Sequence, residues 1–231
     1  MIVLHQFEIS PFCDKVRRIL HTKRVAYRVH EIPLSRSFVE IGRMNRIGKL
    51  PVLEVDGRRL ADSTEIAHQL EERFPDPPLL PRDPRDRALC HVLEDWADES
   101  LYFYEMTLRF TWPHNAERWI PELAKHDPAW FRTLARYLLP LTLRRVTRGQ
   151  GIGRKPREML LGDLDRHLDA VDGLLGDGSW LVGGALSLAD VAVFAQVFCI
   201  GGAAEGARAI AARPRVAAWL ERVDRATQAK V

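Results

Sequence analysis

Hydrophobic and polar positions change their pattern near residue 75. Upstream, short apolar runs alternate with amphipathic stretches. Residues 2–7, "IVLHQF", form a β-prone apolar run. Over 11–23, Val16, Ile19 and Leu20 share one helical face, and the spacing sets Lys15, Arg17 and Arg18 outside. Residues 25–32, "VAYRVHEI", alternate in the manner of a strand with two different faces. A short helix is expected over 36–43. "LPVLEV" and "RRLA" flank Asp56-Gly57, a hairpin signal. Asp62 then opens a helix to about Phe74. The order β-α-β-α-β-β-α is that of a thioredoxin-like domain, with its first two strands parallel.

The next segment, "FPDPPLLPRDPRD" (Phe74 to Asp86), is rich in proline and reads as a linker. Beyond it, helical periodicity covers roughly 85–111, 128–147, 156–175, 188–199 and 214–228, with no strand pattern between. The division expected is a thioredoxin-like unit over 1–75, a linker over 76–84 and an all-α bundle over 85–231. One helix start is clearly signed. Ser187 and Asp190 have capping-box spacing, and Leu186 and Val191 occupy the staple positions. The helix that follows is apolar on nearly every face, which predicts a buried central helix and a structural Asp190.

Composition narrows the partners. The chain of 231 residues is 46% hydrophobic and 28% charged, enough for a real core. A formal charge of +3 does not by itself argue for nucleic acid. No apolar run approaches the length of a spanning helix, so no membrane partner is expected. The start "MIVLHQF" reads as a strand and not as a signal peptide. Three scattered cysteines suit a reducing, cytoplasmic setting. The histidines lack metal-ligand spacing, so no metal is expected.

Chemistry concentrates in three places. "SPFC" puts Ser10 where a strand hands over to a helix, with Pro11 at the favoured first helical position. A redox couple would need a second cysteine at position 10, so Cys13 is expected to pack as core, like Cys90 and Cys199. "KLP" places Lys49 and Leu50-Pro51 directly before a strand, where Pro51 could simply start an edge. "DSTE" gives Asp62 and Glu65 capping-box spacing, and a helix N-terminus beside the Ser63 hydroxyl is a ready anion site. "GQGIGR" (Gly149 to Arg154) follows a helix, lacks a β-α-β context, and reads as a break between helices. The cations around it (Arg144, Arg145, Arg148, Arg154, Lys155, Arg157) form either a solvated face or an electropositive rim. Among the aromatics of "WADESLYFYEMTLRFTW", Tyr102, Tyr104 and Phe110 are candidates for lining a pocket.

"SPFCDKVRR", "GKLPVLEVDG", "DSTEIAHQLEERFPD" and "SLADVAVF", in that order, resemble the glutathione S-transferase superfamily, in particular its bacterial Ser-Pro-Phe-Cys members. The resemblance covers essentially the whole chain. The stretch from Gly149 to Phe194 is also similar to the metaxin- and Fax-like branch. The resemblance implies a homodimer that adds the thiolate of glutathione to a small apolar electrophile. It implies Ser10 as the group acting on the glutathione sulfur, with Phe12 beside it. It implies a cis Leu50-Pro51 bond that presents Leu50 to the cysteinyl part, Lys49 at the glycyl carboxylate, Ser63 at the γ-glutamyl carboxylate and Asp62 at the α-amino group. Arg46 stands where members often carry proline, so the approach loop is expected to differ in shape. The alternatives are a non-catalytic binding or stress protein and a glutathione-dependent reductase or isomerase.

Overall fold

A computed structural model describes residues 1–228. A four-stranded sheet is built from β1 (Ile2–Gln6), β2 (Arg28–Glu31), β3 (Val52–Val55) and β4 (Arg58–Ala61), in the order β2-β1-β3-β4. β1 runs parallel to β2 with Leu4 opposite Val29, and antiparallel to β3 with Leu4 opposite Leu53. β3 and β4 form the expected hairpin. Asp56 and Gly57 both have positive φ (51° and 82°), the geometry that suits a right-twisted two-residue turn. Three helices accompany the sheet: α1 (Pro11–Thr22), α2 (Leu34–Met44) and α3 (Ser63–Arg73). The alternating stretch at 25–32 is strand only over its second half. Val25 and Tyr27 instead pack against the core before the strand begins.

The remainder is helical. α4 (Pro84–Trp96) and α5 (Tyr102–Met106) belong to one nearly continuous rod with π-helical turns at Ala97–Leu101 and Thr107–Thr111. α6 (Pro113–Leu123) and α7 (Ala129–Gln150) follow, then a 3-10 turn, Ile152–Arg154. α8 (Arg157–Leu175), α9 (Leu188–Gly201), α10 (Ala204–Ala211) and α11 (Pro214–Thr227) complete the described chain. Sequence periodicity did not reveal α6 or α10. Both are short, and α6 carries Pro121 in its interior.

α9 is the centre. Leu188 to Val197 is buried without a break. Ser187 and Asp190 form the reciprocal capping box. Asp190, fully buried, also accepts from Leu181 N (2.8 Å) and Trp219 Nε1 (2.9 Å). The carboxylate thus gathers donors from the preceding loop and from α11, beyond its own helix end. Gly206 lets α10 fold closely onto the end of α9, since a Cβ there would meet Ile200 O at 2.0 Å.

α1 corrects an expectation. Lys15 and Arg18 lie inside, 1% and 7% exposed, and not on the outer face. Arg18 pairs with Asp14 (2.7 Å) and Asp224 (2.8 Å), bonds Thr227, and stacks over Phe194 at 4.1 Å. Burying a charge is tolerated when it is paired and hydrogen-bonded. These two cations therefore join the sheet part of the molecule to its helices.

Candidate functional site

Ser10 is the N-cap residue of α1, and its carbonyl accepts from Asp14 N at 2.9 Å. Its side chain makes no cap bond. The hydroxyl stands instead beside the Cys13 thiol. Cys13 is fully buried, and burial pushes its thiol up to about 11. This is an inert thiol at neutral pH.

Ser10 borders two cavities. The first, of about 520 Å³, is lined by Ser10, Phe12, Lys49, Leu50, Asp62 and Ser63, together with acidic residues of the long rod. Pro51 is buried, and the Leu50-Pro51 bond is cis. The approach loop is held by one side chain: Asn45 donates to Lys49 O (3.1 Å) and accepts from Gly48 N (2.8 Å). Arg46 is exposed and takes no part in this bracing.

Asp62 has φ 78°, a region that side chains other than Gly rarely adopt. Its carboxylate accepts from Thr64 N (3.0 Å) and Glu65 N (3.2 Å). Glu65 does not complete a capping box; it accepts from Gln69. Two amides of the α3 N-terminus are therefore already occupied, leaving fewer free than the sequence suggested.

A polar cluster missed by sequence reasoning adjoins this cavity. Buried Lys15 donates to Asp98 Oδ2 (2.7 Å), to Glu94, and to Ser63 Oγ (3.4 Å). Ser63 Oγ donates to Asp98 Oδ2 at 3.3 Å. Asp98 and Glu94 hold the Lys15 ammonium above its ordinary value, although burial opposes this. Burial raises the Asp98 carboxyl, and Lys15 counters that only in part. The other oxygen, Asp98 Oδ1, is buried without a partner, and Asp98 lines the cavity. The only sequence signal was that Lys15 precedes Ile19 by four residues, on the same helical face.

Two family descriptions match the sequence. Residues 4–78 match the N-terminal domain of glutathione S-transferase, and residues 128–222 match its C-terminal domain. The chain belongs to the glutathione S-transferase superfamily.

Among transferase-superfamily relatives, FtsZ-localized protein A of Caulobacter vibrioides is 27% identical over 201 residues, 85% of this chain and 76% of that one. A probable maleylacetoacetate isomerase of Drosophila melanogaster is 35% identical over 92 residues, so the match spans only 37% of its length and 37% of this chain. In structure, a glutathione S-transferase from Methylobacterium radiotolerans, in complex with glutathione sulfonate, superposes with a TM-score of 0.64 at 24% identity. It covers 96% of this chain and 90% of that one.

Within this transferase fold the second cavity, of about 890 Å³, is also lined by Ser10. Ile9, Trp119, Phe198, Ile210 and Leu220 give it an apolar wall, and Arg17, Arg109 and Arg118 supply cations. Cys199, expected in the core, lines this wall, and burial pushes its thiol far up. Of the three aromatic candidates, Tyr102 borders the smaller cavity, 4.7 Å from the Phe12 ring. Tyr104 is buried, donating to Asp163 and accepting from Lys155; Phe110 packs in a separate apolar cluster. The basic group around "GQGIGR" lines neither cavity. Lys155 pairs with Asp163, and Arg157 pairs with Glu205 while lying over Trp112. No cluster of His, Cys, Asp or Glu among the described residues could hold a metal ion.

Proposed function

We propose that the protein binds glutathione in the smaller cavity and conjugates its sulfur to a small apolar electrophile held in the larger one. The observation that carries this reading is the position of Ser10, which makes no cap bond and lines both cavities. Asp98 Oδ1 and Asp62 suit the α-ammonium of glutathione. The Ser63 amide suits its γ-glutamyl carboxylate, the Leu50 backbone its cysteinyl unit and Lys49 its glycyl carboxylate. Asp98 lines the cavity and has a buried oxygen without a partner, which an ammonium would satisfy.

Ser10 then donates its O–H to the sulfur. A free thiol is only a few per cent ionised at neutral pH. Lowering its pKa by about two units requires about 2.7 kcal/mol of preference for the thiolate. A charge-assisted hydrogen bond and the positive end of α1 both contribute. The thiol proton leaves to solvent. The thiolate lone pair forms the new C–S bond, and the displaced pair leaves with the departing group or moves onto the electrophile. The disulfide-reductase alternative has little support, since Cys13 is buried and its thiol is raised.

The reading takes residues 1–75 and 85–231 as two domains joined by 76–84, in a cytoplasmic homodimer. Calorimetric titration and turnover test it. Glutathione binds in the micromolar to millimolar range, and Ser10→Ala lowers turnover more than tenfold while leaving that affinity nearly unchanged. Full activity in Ser10→Ala would overturn the role of Ser10. No binding at several millimolar would favour the second reading, a non-catalytic binding or stress protein, with which the match to FtsZ-localized protein A over 85% of this chain is in keeping.

A further inference from the structure

Helix α7 has two faces that obey different rules. Its inner face repeats every four residues: Phe131, Ala135, Leu139 and Leu143 pack against Met106, Phe110 and Ile120. Its outer face carries Trp130, Leu134, Tyr137, Leu138 and Leu141, which are 67%, 45%, 73%, 49% and 61% exposed. Their spacing of 0, 4, 7, 8 and 11 places them in one stripe. Single exposed apolar residues need no explanation, but a contiguous row of large ones marks an interaction surface.

Charge identifies the partner. α7 holds Arg132, Arg136, Arg144, Arg145 and Arg148 and no acidic residue. Those five cations exceed the formal charge of +3 for the whole chain. None of the five is in an ion pair among the described residues, whereas Arg17, Arg18, Arg109, Arg157, Arg213 and Arg215 all are. At 3.6 residues per turn, Arg144, Arg145 and Arg148 continue the apolar stripe along the same outer face.

We propose that the outer face of α7 docks the protein on an anionic lipid surface. A bilayer interface offers apolar depth and phosphate groups in one plane, the pairing that a basic helix with Trp, Tyr and Leu on its exposed face requires. Trp and Tyr rings settle at headgroup level, and arginine stems lie along apolar surface while their guanidinium groups reach phosphate. A second copy of the chain fits less well. Two α7 helices paired antiparallel set the arginine end of each against the apolar end of the other. Paired parallel, they set arginine against arginine. Neither arrangement offers a carboxylate. The expectation of no membrane partner rested on the absence of a spanning helix, and none is needed for surface docking. No single helix among the described residues is long and apolar enough to cross a membrane.

The test is sedimentation of the full chain with vesicles of phosphatidylcholine alone and of phosphatidylcholine mixed equally with phosphatidylserine. The protein pellets with the mixed vesicles and not with the neutral ones, and added salt weakens the binding. The triple variant Arg144→Glu, Arg145→Glu, Arg148→Glu binds at least tenfold more weakly, as does Trp130→Ser with Leu141→Ser. Both variants keep the native circular dichroism spectrum, since the altered side chains are exposed. Failure to pellet with anionic vesicles would overturn the proposal. So would equal binding of wild type and triple variant, or a concentration-dependent dimer lost in the variants without any lipid binding. None of the altered residues lines either cavity beside Ser10, so the outcome is independent of the proposed conjugation.

Discussion

Helices α9 and α7 are both rich in apolar residues, and the fold treats them in opposite ways. α9 is enclosed along most of its length, and its one carboxylate, Asp190, is matched by donors from its own start, the preceding loop and α11. α7 is covered along one stripe, and its five arginines share one sign with no ion-pair partner among the described residues. The contrast teaches that apolar content does not set the fate of a helix. What decides it is whether the polar groups it carries are satisfied from within.

The comparison breaks most visibly at Asp190. Asp190→Ala strands Leu181 N, Ser187 N, Ser187 Oγ and Trp219 Nε1 in the core. Each buried unsatisfied donor costs about 1–3 kcal/mol, so the loss should reach about 3 kcal/mol or more. Denaturant unfolding measures it, and a near-normal midpoint would contradict the account.

Glu205, next along from α9, tests a buried charge that does have partners. Asn115, Arg157 and His114 hold its carboxyl down to about 2, against the opposing effect of burial. A depressed carboxyl stabilises the fold above its unfolded value near 4.5 and loses that contribution as pH falls toward 2. The loss is on the order of 3 kcal/mol. Glu205→Gln should flatten the acid-unfolding curve in that window, and an unchanged curve would show that the cluster contributes nothing.

The smallest effect belongs to α7. Leu134→Gln and Leu141→Gln should each shift stability by no more than about 0.5 kcal/mol, as exposed substitutions do. A cost above about 1 kcal/mol would mean that the face is covered in solution, and the contrast with α9 would fail.

Local signals made much of this legible in the sequence. The Asp56-Gly57 turn, the Ser187–Asp190 box and the period of α8 and α9 each depend on residues a few positions apart. The same is true of the strand-to-helix junction at Ser10. Lys15 and Arg18 were placed wrongly because their partners lie far along the chain. Lys15 meets Glu94 and Asp98, and Arg18 meets Asp224 and Thr227. A helical period says which face is apolar, but not that a cation will find carboxylates inside. The large cavity was hidden for a similar reason, since its wall draws on residues from Gln6 to Leu220.

Arg18 has one further consequence. During synthesis its segment emerges early, with only Asp14 as a nearby counter-ion. The Phe194 ring beneath it and the Asp224 and Thr227 that complete its coordination follow much later, the last two over 200 residues downstream. Until then the guanidinium is better left in water than enclosed. Burial of the Arg18 guanidinium is thus fully compensated only when the final helix is in place, and the two ends of the chain depend on each other for it.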